Sequence, residues 1–153
     1  MNIRIHMTHD QAADFRALRE QVGLSQQDVA GALGIKVLSV KRWEKPDYPF
    51  EIPQDAWGVL DEAYRLQRTV VESAVDQVIA AGESVGRSAE MPVRITYWRT
   101  KGDYDECHPH DPGSYTQANA TARAVAEKLR GLGLHVAFAF RPTVPEEVWD
   151  EAE

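Results

Sequence analysis

The chain has 153 residues and a formal net charge of −7, with 43% hydrophobic and 27% charged residues. This is the profile of an ordinary globular protein that can bury a core without disulfides. Its single cysteine, Cys107, excludes a disulfide framework and a cysteine-rich zinc site. No run of about 18 apolar residues could cross a membrane, and the first ten residues lack the apolar stretch of a secretory signal. We expect a cytoplasmic protein of one domain, or of a small domain with an appendage.

Although the net charge of the whole chain is negative, one segment is basic. Residues 36–45 contain four cationic side chains and one carboxylate, whereas residues 51–90 carry a net charge of −5. Charges more than about 10 Å away are largely screened at moderate salt, so a phosphate group would respond to the local charge. The segment is therefore compatible with DNA binding, and the acidic remainder should weaken indiscriminate binding.

Two short helices are predicted first. Thr8 followed by Gln11 resembles a capping box for the first helix, which Gly23 is placed to end. The second helix begins after Ser25 and ends at Gly34.

A third short helix and a long helix complete the first 80 residues. Val40 and Trp43 are apolar positions of the third helix, and Pro46 stops it because the residue before a proline avoids the helical region. Pro53 suits the first turn of a long helix over 53–80, where apolar residues recur at intervals of three, four or seven.

The C-terminal part reads as a strand, a helix and a strand. Glycine, proline and small polar residues over 81–92 indicate a linker. Apolar and polar residues then alternate from Val93, which predicts a strand, and a polar loop is predicted over 99–113. An alanine-rich helix over 114–130 and a second strand over 134–140 follow.

These elements predict four parts of the chain: a DNA-binding part with the long helix over 1–80, the linker over 81–92, a β-α-β unit over 93–142 and an acidic tail over 143–153. A strand–helix–strand unit cannot cover both faces and both edges of its sheet. We therefore expect this unit to pack on the long helix, on a second copy of itself, or on both. The fold class is mainly α with a small α+β C-terminal unit.

The second and third helices have the spacing of a helix-turn-helix. Ala30 provides a small residue where two helices cross closely, and Gly34 tolerates the positive φ of the turn. Ile35 is then expected to fill the core between the helices, with Val40 and Trp43 on the inner face of the third helix. A helical hairpin without a DNA role is the alternative, but the outer face of the third helix is basic.

The stretch LREQVGLSQQDVAGALGIKVLSVKRWE resembles the Cro/C1-type (XRE) helix-turn-helix family of bacterial and phage repressors, over residues from about 12 to 60. The resemblance implies a lambda-repressor-like helical bundle. It also implies that Gln26, at the start of the second helix, touches a DNA phosphate. The positions implied to enter the major groove are Lys36, Val37, Leu38, Lys41 and Arg42. Two departures are Lys36, where the family usually has a capping Ser or Thr, and Lys45-Pro46, where Asn-Gly is usual.

The residue chemistry agrees with these roles. Amides at the start of the second helix can point at a phosphate, and Gln26 can add a neutral donor. Arg42 has the planar fork that matches guanine O6 and N7. Val37 and Leu38 can rest against a thymine methyl group, with core packing as their alternative.

Three more residues of this segment have simpler roles. Lys41 and Lys45 suit phosphates, or are ordinary surface lysines. Ser39 can hydrogen-bond a base, or merely lie near one.

The C-terminal unit bears on oligomeric state. The segment RITYWRTKGDYDE, with AVAEKL in the next helix, is similar to the C-terminal part of YdiL-like proteins and of anti-CRISPR-associated autoregulators. That similarity implies a dimeric repressor of its own operon, of phage or bacterial origin. In such a dimer, two DNA-binding domains about 34 Å apart would bind an inverted repeat.

The loop over 103–111 offers a different interpretation. A divalent metal could be held there by oxygen, nitrogen and sulfur ligands, namely Asp105, Cys107, His108, His110 and Asp111. Cys107 could instead act as a nucleophile beside His108 or His110. The spacing matches no motif, so no metal, cofactor or catalytic residue is assigned.

These features of the sequence are weighed against three candidate functions. The first is a sequence-specific DNA-binding repressor that acts as a homodimer on double-stranded DNA. The second is an antitoxin that binds DNA and also a toxin protein. The third, an enzyme with an accessory DNA-binding head, lacks any trusted catalytic pattern, so the protein is taken not to be an enzyme.

Overall fold

The computed structural model describes residues 1, 3, 10–85, 92–111 and 113–141. Within these ranges the chain forms six α-helices and one two-stranded sheet. In chain order they are α1 (Gln11–Val22), α2 (Gln26–Leu33), α3 (Val37–Trp43), α4 (Gln54–Val85), β1 (Val93–Thr96), α5 (Lys101–Cys107), α6 (Tyr115–Gly131) and β2 (Val136–Ala139). The mainly helical fold with a small C-terminal α+β unit is confirmed. No helix in the described ranges is long and apolar enough to cross a membrane.

The beginning of α1 differs from the prediction. Asp10 is the N-cap, and its side chain accepts a hydrogen bond from the backbone N–H of Ala13 at 3.2 Å. An Asp cap satisfies one of the free N–H groups of the first turn as well as a Thr would. The predicted cap, Thr8, lies outside the described residues. Gly23 ends the helix with a φ of +78°, as predicted.

The ends of α2 follow the sequence prediction. Ser25 caps the helix in a reciprocal capping box with Asp28, whose carboxylate accepts from the Ser25 N–H at 2.8 Å. Gly34 ends the helix with a φ of +65°, a left-handed conformation that costs glycine little.

A first core joins α1, α2, α3 and the beginning of α4. Its centre is Phe15, whose ring meets the rings of Trp43 and Trp57 edge-on, with centroid distances of 5.9 and 5.1 Å. The fully or largely buried members are Phe15, Val29, Ala30, Val40, Trp43, Ile52, Ala56 and Leu60. Ile35 is not among them: it is 38% exposed, so the prediction that it fills the core was wrong. The turn leaves Ile35 outside the crossing, whose small residue is the fully buried Ala30.

The second core lies against the far half of α4. Val75 of α4 packs with Val93 of β1 and with Val125 and Leu129 of α6. A single 32-residue helix thus contributes to both cores, with Leu60 in the first and Val75 in the second. The helix begins at Gln54, directly after Pro53, and ends at Val85, beyond the predicted residue 80. The predicted linker therefore starts inside a helix, and residues 86–91 lie outside the described residues.

The C-terminal unit is a parallel β-α-β arrangement. β1 and β2 pair in register from Val93 with Val136 to Thr96 with Ala139, and α6 packs against both strands. Asn119 of α6 is buried and holds the end of β1, because its side-chain amide both accepts from and donates to the backbone of Trp98 at 2.7 and 2.8 Å. α6 also packs against α4 and α1.

The predicted loop over 99–113 contains a helix, α5. Thr100 caps it by accepting from the Asp103 N–H at 3.1 Å, and Lys101 pairs with Asp105 one turn later. Tyr104 is its one buried residue. A helix with a single buried side chain shows no apolar periodicity, so its sequence resembles that of a polar loop. The acidic tail over 143–153 lies outside the described residues.

Candidate nucleic-acid interface

The crossing of α2 and α3 has the geometry of a helix-turn-helix. Ala30 and Val40 are both completely buried, which lets the two helices approach closely. The turn between the helices is short, and the backbone N–H of Ile35 donates back to the carbonyl of Ala30 at 3.0 Å. Trp43 anchors the other end of α3 in the first core. One face of α3 is therefore fixed, and the opposite face is free to contact a partner.

The outer face of α3 presents cations around an apolar residue. Lys36, Lys41 and Arg42 are exposed, and none of their side chains has a hydrogen-bond or ion-pair partner among the described residues. Leu38 is 50% exposed. Unpaired cations on one face of a helix form an attractive surface for phosphate and for the edges of bases.

The other predicted site residues of this region differ in their exposure and in their position on α3. Val37 and Ser39 are half-buried, and Val37 packs against the first core. Lys45 is exposed just beyond α3. Lys36 occupies the N-cap of α3 without a side-chain capping bond, as its departure from the usual Ser or Thr implies. The structure thus brings these predicted residues together around one helix, with Val37 turned partly inward.

Gln26 takes part in a contact that the sequence did not suggest. Its side-chain amide donates to Oε2 of Glu44 at 2.7 Å. Glu44 also accepts from Arg19, through Nε at 2.5 Å and Nη2 at 3.0 Å. This cluster of Arg19, Gln26 and Glu44 ties the ends of α1 and α3 to the start of α2.

Arg19 and Glu44 are therefore positioning residues that the sequence reasoning missed. A usable signal was present: Arg19 falls on the same face of α1 as Phe15 and Val22, and that face is otherwise apolar. A cation on a buried face requires an anionic partner, because an unpaired buried charge is very costly.

The start of α2 adds a second contact region. The backbone N–H groups of Gln26 and Gln27 donate to no described residue, as expected for the first turn of a helix. Together with the second N–H of the Gln26 amide, they form a set of donors at the start of α2. Such donors suit a phosphate oxygen.

Within the 103–111 segment, Tyr104, His108 and Asp111 contact one another, whereas Cys107 and His110 are exposed. Tyr104 donates a short hydrogen bond to Asp111, and its ring stacks on His108 with a centroid distance of 4.5 Å. Burial and this bond raise the pKa of Tyr104 to about 12. The same bond, with one from the Gly113 backbone, lowers the pKa of Asp111. No three His, Cys, Asp or Glu side chains in the described part of the chain are grouped to hold a metal ion.

Comparison with known proteins agrees with this geometry. The family model described as a helix-turn-helix domain matches residues 12–74. The match covers almost all of α1, then α2, α3 and the first part of α4. No curated protein matches the chain. The family match confirms the resemblance drawn from the stretch Leu18–Glu44.

Proposed function

We propose that the protein is a sequence-specific transcriptional regulator, because residues 12–74 form a DNA-binding helix-turn-helix domain of the Cro/C1 (XRE) type. One observation carries the proposal: the outer face of α3 combines unpaired cations with the exposed Leu38, while its inner face is locked in the core. A rigid helix of this kind can enter the major groove and read base edges. Regulation of this sort takes place where the DNA is, in the cytoplasm.

The proposed roles follow from side-chain shape. Arg42 forms two hydrogen bonds with O6 and N7 of a guanine, and Leu38 contacts a thymine methyl group. Lys41 and Lys45 contact phosphates on either side of the groove. Gln26 directs its free N–H to a phosphate, with Glu44 holding the side chain in place.

Val37, Ser39 and Lys36 have smaller proposed roles. Val37 is half-buried, so it contacts DNA only through its outer methyl group. Ser39 lies near the bases, and Lys36 adds positive charge at the start of α3.

We further propose that the regulator is a homodimeric repressor that binds an inverted repeat. Support comes from β2 (Val-Ala-Phe-Ala), which lacks charged residues and whose outer edge pairs with no other strand within the described ranges. Phe138 and Phe140 are 38% and 60% exposed there. Edge strands without lysine or proline are prone to pair with a second chain, and a strand that pairs with its own copy generates a two-fold interface.

Analytical ultracentrifugation of the full chain tests the dimer. Phe140→Asp should shift the protein from dimer to monomer, whereas Phe50→Asp, an exposed phenylalanine in the loop before α4, should leave the dimer intact. A wild-type protein that sediments as a monomer would contradict the dimer. A small protein co-purifying with that monomer would instead support the antitoxin alternative, in which the outer edge of β2 binds a toxin.

Selection of bound DNA from a random pool, at a stated salt concentration, tests DNA reading. The expected result is an enriched inverted repeat with half-sites about one helical turn apart. Arg42→Ala should weaken binding to the best sequence by about 1–3 kcal/mol and relax preference at one base pair. Arg65→Ala, which removes an exposed arginine of α4 paired with Glu62, is the matched control and should change neither. An Arg42→Ala loss that is equal on all sequences would remove Arg42 from base reading.

A further inference from the structure

The helix-turn-helix domain meets the C-terminal unit at Gly23, the residue that ends α1. A Cβ atom added there would lie 2.3 Å from the carbonyl oxygen of Thr116 and 2.7 Å from Cβ of Ala120. Both residues belong to the beginning of α6. Because the nearest of these atoms is a backbone oxygen, which no change of rotamer can move away, a side chain at position 23 would separate the two helices. Glycine therefore lets the end of α1 pack directly against α6.

The other end of α6 is held by α4. Val125 and Leu129 pack there with Val75 in the second core. Ala120 and Leu129 are nine residues apart, which corresponds to about 14 Å along the helix. An open groove of about 740 Å³ lies between α4 and α6 beside these contacts, so α4 does not enclose α6. The direction of α6 therefore depends on two separate points, and the contact with Gly23 is one of them.

The strands are attached to the same part of α6. Asn119, next to Ala120, accepts from and donates to the backbone of Trp98 at 2.7 and 2.8 Å. Val93 of β1 packs with α6 in the second core, and β2 pairs in parallel with β1. The outer edge of β2, through which the dimer is proposed to form, is thus fixed relative to α6.

A second series of contacts leads from Gly23 to α3. The guanidinium of Arg19 donates to the carbonyl of Leu24, the residue after Gly23, at 2.9 Å. The same guanidinium pairs with Glu44 at the end of α3, through Nη2 at 3.0 Å. Paired contacts between charged groups restrict both distance and angle. α3 and the outer edge of β2 are therefore held in one relative orientation, and the two series of contacts meet at Gly23.

The two half-sites of an inverted repeat are related by the DNA helix in angle as well as in distance. One added base pair rotates one half-site by about 35° and moves it by about 3.4 Å. DNA-binding domains on flexible linkers can follow such a change, but α3 helices fixed relative to the dimer edge cannot. The DNA must then twist, or one half-site is released.

We propose that Gly23 is a positioning residue that limits the dimer to one spacing of the half-sites, through its contact with α6. The inference deepens the proposed function and rests on it, because it requires a dimer joined at β2 and an inverted repeat. Gly23 acts by aligning α3 with the outer edge of β2, and this role needs no contact between Gly23 and DNA.

Fluorescence anisotropy with five duplexes tests the spacing. One duplex carries the selected inverted repeat, and in the others the central spacer is longer or shorter by one or two base pairs. The wild type should bind about 10-fold or more weakly once a single base pair is added or removed, because the DNA must deform to restore both contacts. Similar wild-type affinity for all five duplexes would overturn the proposal.

A pair of glycine variants assigns this effect to the contact with α6. Gly23→Ala pushes α6 away from α1, so the loss on changing the spacer by one base pair should fall to about 3-fold or less, because the freed domains follow the DNA without twisting it. Gly133→Ala is the matched control: its φ is +83°, and an added Cβ meets nothing within 4 Å. It carries the same backbone strain without the clash and should keep the wild-type loss. An unchanged loss in Gly23→Ala would overturn the role of Gly23.

A distance measurement without DNA decides the matter if Gly23→Ala does not fold. Lys41→Cys on the exposed face of α3, combined with Cys107→Ser, accepts one nitroxide spin label per chain. Double electron–electron resonance on the dimer should give one narrow distance distribution. Labels at Asp61→Cys and Asp76→Cys, about 22 Å apart along α4 and diluted with unlabelled chain, provide the reference width for a rigid pair. A distribution between the α3 helices that is much broader than this reference would overturn the proposal.

The outcomes separate this inference from the proposed function. A dimer that binds the selected repeat but accepts all five spacers overturns the inference and leaves the proposed function standing. A selection that enriches no inverted repeat, or a wild type that sediments as a monomer, contradicts the proposed dimer and this inference together.

Discussion

Arg19 and Glu44 connect the end of α1 to the end of α3 through two contacts, Nε to Oε1 at 2.5 Å and Nη2 to Oε2 at 3.0 Å. Their side chains are only 10% and 4% exposed. Paired contacts of this kind restrict the angle between the two groups as well as their distance. The orientation of α3 therefore depends on a largely buried ion pair in addition to the apolar contacts of Val40 and Trp43.

Replacement of Arg19 by methionine should lower the free energy of unfolding by about 3–5 kcal/mol. The substitution preserves much of the side-chain volume but leaves the Glu44 carboxylate buried, with Gln26 as the one side-chain donor that the described part of the chain still supplies. Urea denaturation followed by circular dichroism measures the change.

Arg16→Met is the matched control for this prediction. Arg16 pairs with Glu20 on the same helix at 2.8 Å, but the two side chains are 62% and 54% exposed. Exposed pairs contribute little to stability because water and salt screen them, so this variant should unfold almost as the wild type does. The combination of Arg19→Met with Glu44→Leu should be more stable than Arg19→Met alone, because no buried charge remains unpaired. Similar losses for Arg16→Met and Arg19→Met would show that the buried pair has no special importance.

Gly23→Ala should destabilise the protein by about 3 kcal/mol, from a left-handed backbone cost of about 1–2 kcal/mol and a steric clash. An added Cβ would lie 2.3 Å from the carbonyl oxygen of Thr116 and 2.7 Å from Cβ of Ala120. Both atoms belong to α6, so the substitution pushes α6 away from the end of α1. Thermal unfolding of the purified variant measures the loss.

Gly34→Ala separates the two causes. Its φ is +65°, and an added Cβ meets nothing within 4 Å. Only the backbone cost of about 1–2 kcal/mol applies there. If the two glycine variants were equally destabilised, the close approach of α6 to Gly23 would be absent in solution.

The helix-turn-helix could be predicted from the sequence because its signals are local. Gly23 and Gly34 end their helices where expected, and Ala30 and Val40 are completely buried at the crossing. Each of these depends on the residue's own conformational preference or size and needs no knowledge of distant parts of the chain. The outer face of α3 follows once its inner face is known, since the helical period fixes one from the other.

The features that escaped prediction depend on long-range contacts. The Arg19–Glu44 pair joins residues 25 positions apart, and Gln67 bonds a backbone group 46 positions away. α5 was missed because Tyr104 alone of its residues is buried, which leaves no periodic pattern. Ile35 was misplaced because an apolar residue in a tight turn need not point inward, and the turn geometry decides which way it points.

Tyr104 should ionise only at high pH, with a pKa of about 12. An unfolded tyrosine ionises near pH 10. Because the pKa of Tyr104 is higher in the folded protein than in the unfolded chain, its contribution to the free energy of unfolding is fully present below about pH 10. This contribution is lost as the pH rises through about 12. An absorbance titration of tyrosinate should show a late step that Tyr104→Phe removes and Asp111→Asn shifts to lower pH. A late step that survives in Tyr104→Phe would assign it to another tyrosine.

Lys41→Ala should weaken DNA binding by a similar factor on every sequence. It should also reduce the slope of the logarithm of the binding constant against the logarithm of the salt concentration by about one unit. The reason is that Lys41 is exposed on the outer face of α3 without a partner among the described residues, so a phosphate contact would release one condensed counterion from the DNA. Fluorescence anisotropy with the selected duplex and with a scrambled duplex, at several salt concentrations, measures both effects. Lys101→Ala, on α5 and paired with Asp105, should leave the salt slope unchanged. A Lys41→Ala loss confined to the selected duplex would instead mean that Lys41 contacts a base, as proposed for Arg42.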